Sequence, residues 1–314
     1  MFKPEIQHLL NELKTDSSSG ASELLNKALS IIESQLDLIS NENENIEELI
    51  IELSKEIINS RPSMAPLINM IGYIIGDVKL ITKQEIAYNL EQFKTKNLIR
   101  EKRLENNFQK FVSNITKKNP KIMLNSYSST ILNLLLKLKD FDAEFYVLES
   151  RPLYEGRYTA QKLSNNFTTH LIIDAAVGKF IDLVDLILIG IDSILKDGSV
   201  INKIGTYPLS VMGNQKGIEV FAIGTSLKYN LKSHYGLNVV IEDKPKDEVF
   251  DTQNLAENLE IHNYYFDITP PKYINKIISD LGILSPKKYV KTVKKILPIS
   301  WFELILKDYD QIIK

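Results

Sequence analysis

The stretch KIMLNSYSSTILNLLLK, residues 121–137, decides the fold. A short apolar run, Lys121–Leu124, enters a turn of small polar residues, Asn125 to Thr130, and leaves it as an apolar helix from Ile131. That is the repeating unit of a parallel sheet with helical crossovers. Downstream, further short apolar runs are expected as strands at Glu144–Leu148, His170–Ile173, Leu186–Gly190, Val220–Ile223 and Tyr264–Phe266, each followed by a helical stretch. Near-continuous apolar strands alternating with helices imply a sheet covered on both faces. The second half, 119–314, therefore reads as a Rossmann-like, doubly wound α/β domain.

Upstream the period changes. Leu24, Leu25, Ala28, Leu29, Ile32 and Leu36 recur at helical spacing, as do Ile46, Leu49, Ile50, Leu53, Ile57 and Ile58. A third stripe runs through Ile81, Ile86, Leu90, Phe93, Leu98, Leu104, Phe108, Phe111 and Ile115. Breaks fall at Asp16 to Gly20, Ser40 to Asn45 and Arg61-Pro62-Ser63. Residues 1–118 are thus expected to form an N-terminal all-helical domain.

With 314 residues the chain has room for two domains and can bury roughly three quarters of its unfolded surface without staples. Cysteine is absent, which excludes disulfides, thiolate metal sites and a cysteine nucleophile. Four histidines, His8, His170, His234 and His262, have no metal-binding spacing, so neither a metal nor any other cofactor is expected. A net charge of −2 argues against direct nucleic-acid binding through a broad basic surface. The longest apolar stretch, around 183–191, is interrupted by Asp185 and too short to span a bilayer. No signal peptide is expected from the Met1-Phe2-Lys3-Pro4-Glu5 opening, and a cytoplasmic, membrane-free protein follows.

Ligands of open parallel sheets sit beyond the carboxyl ends of the strands, where strand order reverses. After the first strand, Ser126, Ser128 and Ser129 precede a helix, an arrangement that suits a phosphate as well as it suits plain N-capping. After the second come Arg151, Gly156 and Arg157, whose guanidinium forks could hold a phosphate or lie in solvent. Asp174 follows the third strand, where capping and ligand contact explain it equally. Asp192 ends the apolar fourth strand, a setting that raises a carboxyl pKa for acid/base work or simply caps the next turn, and Asn202 and Lys203, ten residues further on, could reach a phosphate and a sugar hydroxyl or lie exposed in a turn.

Together these segments resemble one family, the α/β/δ subunits of translation initiation factor 2B and their relatives, the ribose-1,5-bisphosphate and methylthioribose-1-phosphate isomerases. The resemblance is carried by SGASEL (Ser19 to Leu24), SRPSMAPL (Ser60 to Leu67), LNSYSSTIL (Leu124 to Leu132) and ESRPLYEGRYTA (Glu149 to Ala160). It continues with IIDAAVG (Ile172 to Gly178), IGIDSILKDGSVINKIGT (Ile189 to Thr206) and FDITPP (Phe266 to Pro271). It implies dimers or hexamers, a translation-factor partner, and a crevice for a phosphorylated sugar or nucleotide. By position it assigns phosphate and sugar contacts to Gly20, Ala21, Arg61, Ser128, Ser129, Arg151, Gly156, Arg157, Asn202 and Lys203, and the acid/base role to Asp192. Isomerases of this family carry a cysteine where this chain has Ser126, and an arginine where it has Ser19. A serine hydroxyl is a poor substitute for a thiol as a proton carrier near neutrality. The expectation is accordingly a non-catalytic, initiation-factor-like subunit; an aldose-phosphate to ketose-phosphate isomerase using Asp192, with Ser126 or its water in the thiol's place, is the alternative. Tyr264-Tyr265-Phe266 and Trp301-Phe302 could serve an oligomer interface or a core.

Overall fold

The computed structural model describes residues 2–16, 19–39, 45–62, 64–76, 82–251, 253 and 256–297. Ile81, Trp301 and Phe302 lie outside these residues, as do parts of the three expected breaks.

Helices α1 (Pro4–Thr15), α2 (Ala21–Leu38), α3 (Ile46–Ser60), α4 (Ala65–Ile75) and α5 (Lys83–Ser113) make up the N-terminal region. Their starts carry local signals: Pro4 and Pro66 lie in first turns, Asn45 accepts from Glu48 N, and Thr82 accepts from Glu85 N. α4 is buried nearly all round, so it is the central helix against which α2, α3 and α5 pack. α5, about 46 Å long for its 31 residues, serves two cores. Ile86, Leu90 and Phe93 face the other helices, whereas Leu104, Phe108 and Phe111 pack under the sheet. Leu98, expected in the same stripe, is instead 66% exposed, because it falls where the helix passes between the two cores.

The strands of the main sheet are β1 (Lys121–Asn125), β2 (Glu144–Leu148), β3 (Thr168–Ile172) and β4 (Leu186–Gly190). It also contains β7 (Glu219–Ile223), β9 (Lys276–Ser279) and β10 (Gly282–Leu284), in the order β10-β9-β7-β4-β1-β2-β3. All neighbours pair parallel except β9 and β10. Strand order reverses between β1 and β4, the switch point of a Rossmann-type sheet. A separate antiparallel sheet joins β5 (Ser193–Ile194), β6 (Val200–Lys203) and β8 (Phe266–Thr269). The crossovers carry α6 (Ser129–Leu136), α7 (Glu155–Leu163), α8 (Val177–Phe180), α9 (Thr206–Gln215) and α10 (Leu231–His234), and α11 (Pro286–Val293) follows the last strand.

Three expectations are corrected here. The third strand starts two residues earlier than expected and ends at Ile172. The run around 264–266 becomes β8, two residues later and in the small antiparallel sheet, because its backbone pairs with β6, Asn202 opposite Asp267. No helix follows it, since Pro270 and Pro271 lead into a single 3₁₀ turn. The short strands β5, β6, β9 and β10 carried no pattern of their own.

Side chains alternate strictly across the sheet. Ile122, Leu124, Phe145, Val147, Leu186 and Leu188 face α5, α6 and α7, whereas Met123, Tyr146, Ile187 and Ile189 belong to a core continuous with the N-terminal helices. Among the polar side chains that join the two halves, buried Asn69 on α4 makes two bonds, donating to the carbonyls of Leu227 and Tyr229, both at 2.7 Å. Asn69→Ala leaves two buried carbonyls without their donor and is expected to cost about 2–4 kcal/mol in urea denaturation. A change under about 0.5 kcal/mol would contradict this role.

Candidate functional site

A cavity of about 120 Å³ opens at the switch point, between the carboxyl ends of β1 and β4 and the N-terminal helices. Nine of the residues singled out in the sequence line it: Gly20, Ala21, Arg61, Ser126, Ser128, Ser129, Asp192, Asn202 and Lys203.

Two helix starts meet there. A Cβ on Gly20, at the start of α2, would lie 2.8 Å from Ser129 Oγ at the start of α6, so a larger residue there would make the Ser129 hydroxyl turn aside. Ser128 caps α6 through Ile131 N, which leaves the Ser129 and Thr130 N–H groups without an acceptor among the described residues. At α2, Glu23 takes the Gly20 N–H, and the next amides have no intrahelical partner. Gly190 closes the floor, since a Cβ there would meet Asn202 Oδ1 at 3.1 Å and Ser128 Cβ at 3.2 Å. Ser126 follows β1 in the left-handed region, φ 69°, its carbonyl held by Thr159.

Asn202 and Lys203 are fixed by a hydrogen-bonded hub. Thr206 Oγ1 donates to Lys203 O and accepts from Asn125 Nδ2 (2.9 Å) and Asn202 Nδ2 (3.0 Å). Gly205 makes the turn at φ 96°, and Asp267 accepts from the amides of Gly205 and Tyr207. Burial raises the Asp267 carboxyl to about 6, against the pull of those amides.

Four cations and four carboxylates surround the cavity, and most are matched. Lys203 Nζ lies 2.6 Å from Glu155 and beside the Tyr265 ring, and Lys244 pairs with Glu242. Arg61 donates to the carbonyls of Leu13 and Asp16, and burial lowers its pKa; Asp16 itself pairs with Lys27. Asp192 and Lys228 are the exception. Neither side chain makes a hydrogen bond, or an ion pair within 4 Å, among the described residues. Burial raises the Asp192 carboxyl and lowers the Lys228 ammonium, each partly offset by the other's charge.

Arg151, Gly156 and Arg157 do not line the cavity. Arg151 donates to the Tyr154 hydroxyl and to Val249 O; Arg157 lies over the Tyr154 ring and pairs with Glu149 at 2.8 Å. Gly156 is required by packing, as a Cβ would fall 1.7 Å from Leu148 O. Asp174, left open between two roles, receives the backbone N–H groups of Ser150 and Arg151. Lys228, Lys244 and Glu155 line the cavity without having been singled out, and Tyr265, expected at an interface or in a core, lines it as well. Lys228 carried a signal, because it follows the strand Val220–Ile223 by five residues. Lys244 carried none, lying on a long irregular segment.

An all-helical N-terminal region on a Rossmann-like sheet, with a cleft at the switch point between them, defines the class of protein. The chain belongs to the Initiation factor 2 subunit family, whose model matches residues 17–286. A translation initiation factor eIF-2B subunit 2-like protein of Pyrococcus furiosus is 30% identical, over 92% of this chain and 99% of its own length. The ribose 1,5-bisphosphate isomerase of Methanocaldococcus jannaschii is 26% identical, over 90% and 92%. The crystal structure of Pyrococcus horikoshii translation initiation factor eIF-2B superposes with a TM-score of 0.80 at 25% identity, covering 92% of this chain and all of that one. The 5-methylthioribose 1-phosphate isomerase of the same species shares the fold at a TM-score of 0.68 and 21% identity, over 93% of this chain and 88% of its own. Among the described residues no helix is long and apolar enough to cross a membrane.

Asp267 sets a pH dependence of stability. The native carboxyl keeps its proton up to about pH 6, the unfolded one only to about 3.8. The native state therefore binds more protons within that window, and stability falls as pH rises through it, by up to about 3 kcal/mol, then levels off. Asp267→Asn keeps an oxygen for both amides and is expected to flatten this part of the profile. Denaturation at pH 4 to 7 showing the same slope in both proteins would refute the assignment.

Proposed function

We propose that this chain is a non-catalytic, initiation-factor-like subunit that binds a phosphorylated sugar or nucleotide in the cleft. One observation carries the reading: the starts of α2 and α6 and the Lys228 ammonium line one cavity that has no thiol beside it. Amides at two helix starts and a cation without a close counter-charge form an anion site, and a phosphate would relieve their mutual repulsion. Ser128, Ser129, Gly20 and Ala21 then surround the phosphate, while Asn202 and Lys203 reach the sugar hydroxyls. Arg61 shapes the cleft wall and adds positive potential. Self-association into dimers or hexamers, a translation-factor partner and a cytoplasmic location accompany this reading, by likeness to the family.

Titration calorimetry against ribose 5-phosphate, ribose 1,5-bisphosphate and the nucleoside monophosphates is expected to find a ligand. Lys228→Met should weaken it by about tenfold or more, since a buried charge-assisted contact is worth roughly 1.5–3 kcal/mol. Absence of binding across the panel would defeat the proposal.

A second reading, a ribose-1,5-bisphosphate isomerase, is favoured by the raised Asp192 carboxyl at the same cleft. There Asp192 would handle the proton of the ring oxygen or a hydroxyl during ring opening, and Ser126 or a water on it would move the carbon-bound proton. Losing a positioned acid/base typically costs 10²–10⁴-fold, so slow turnover is the form this activity would take. Incubation with ribose 1,5-bisphosphate should yield no ribulose 1,5-bisphosphate on the first reading. Product formation that Asp192→Asn abolishes establishes the second.

A further inference from the structure

The segment PKKYVKTVKK, residues 286–295, concentrates positive charge that the chain's total of −2 conceals. Lys287, Lys288, Lys291, Lys294 and Lys295 are exposed, whereas Tyr289, Val290 and Val293 are buried in the core. Offsets of three, four, seven and eight residues put the lysines on one face of α11 and of the turn that continues it. Lys287, Lys291 and Lys295 rise in steps of about 6 Å, a row about 12 Å long. Lys196 joins them from the turn between β5 and β6, where a Cβ on Gly198 would lie 3.0 Å from Pro286 Cβ. Burial, and then the charges of Lys294 and Lys196, lower the pKa of the His234 imidazole, so both lysines act on one place.

Among the described residues none of these six lysines is in an ion pair. Elsewhere lysines are matched: Lys27 with Asp16, Lys117 with Asp185, Lys203 with Glu155 and Lys216 with Asp182. Asp197, the acid of the β5–β6 turn, instead accepts from the N–H and hydroxyl of Ser199. Lys294 and Lys295 suit the negative end of the helix dipole, but Lys287 and Lys288 stand in a first turn that holds no acid, where the dipole disfavours cations. Like charges at these spacings also repel one another, so the arrangement works against the helix that carries it.

The chemistry of the face selects its partner. The apolar residues of α11 are in the core and are not free to enter a lipid surface. A protein partner would need aromatic or aliphatic anchors, and lysine is depleted at the centres of such interfaces. Nucleic-acid interfaces are much more positively charged, and lysine meets their phosphates as a point charge. No arginine follows Arg157 in the chain, and α11 exposes no aromatic ring. The face therefore offers neither a fork for base edges nor a platform for unpaired bases. We infer that the exposed face of α11, together with Lys196, docks on the phosphate backbone of double-helical nucleic acid without reading its sequence. None of these lysines lines the cleft, and the inference does not rest on the ligand proposed there.

The test is fluorescence anisotropy of the full chain with two labelled RNA hairpins of unrelated stem sequence. Both are expected to bind alike, with Kd of about 10⁻⁴–10⁻⁶ M at physiological salt, and log affinity should fall against log salt with a slope of about −5. Lys287→Gln/Lys291→Gln/Lys295→Gln should weaken binding at least about tenfold and bring the slope to about −3. Lys110→Gln/Lys118→Gln/Lys139→Gln removes the same charge from exposed lysines elsewhere and should leave both quantities nearly unchanged. Lys196→Gln, outside the helix, should lower the slope by about 1 and decides the matter if circular dichroism shows that the first variant loses helix. Equal losses in the two triple variants, absence of hairpin binding, or displacement of the hairpin by ribose 5-phosphate would overturn the inference. So would binding of poly-glutamate in preference to the hairpins, which would mark the face as one for an acidic protein segment.

Discussion

The structure depends on a close approach between like-charged ends. The first turns of α2 and α6, each the positive end of a helix dipole, meet where Gly20 faces Ser129, and the Lys228 ammonium stands behind them. Such an arrangement is unfavourable unless packing elsewhere enforces it or an anion neutralises it. The packing is visible. α4 lies at the middle of the N-terminal helices and is bound by Asn69 to the segment after β7 that carries Lys228. The long α5 passes from the helical core to the underside of the sheet and so ties the same two regions together.

The cleft's electrostatics follow from which charges are already matched. Lys203, Lys244 and Arg61 are engaged by Glu155, Glu242 and two backbone carbonyls, which orients them but takes up much of their charge. Asp192 and Lys228 sit deep at the cavity without a close partner, and burial penalises the charged form of each. That pair, more than the count of basic residues, distinguishes the cavity electrostatically. The family holds relatives named as initiation-factor subunits and relatives named as isomerases. The residue following β1, Ser126, offers a hydroxyl, which ionises far less readily near neutrality than a thiol.

The two arginines of the Glu149 to Ala160 stretch show how a motif can be right about place and incomplete about direction. Arg151 and Arg157 do follow β2 at the carboxyl rim, yet both side chains gather around Tyr154, and Glu149 takes the charge of one. Glycine was similarly ambiguous. Gly156 and Gly190 both permit close backbone approaches, but one packs α7 onto the end of β2 and the other forms the cavity floor.

The sequence by itself determined the two periodicities, and with them the helical region, the parallel sheet and the carboxyl rim at which the cavity opens, because burial of alternating or helically spaced apolar residues is a local and repetitive demand. It also brought out nine of the residues that line the cavity, six of them at a helix start or just after a strand, with Arg61 at the end of α3 and Asn202 and Lys203 within β6. Only the tertiary structure decided that Phe266–Thr269 joins a separate antiparallel sheet, that Arg151 and Arg157 gather around Tyr154 outside the cavity lining, and that Lys228 and Lys244 line it. Those outcomes hang on pairings between segments far apart in the chain, Asn202 with Asp267, Arg151 with Val249 and Lys244 with Glu242 on a segment without regular pattern. A side chain's direction is set by the neighbours that folding supplies, and those neighbours leave no periodic trace around the residue itself.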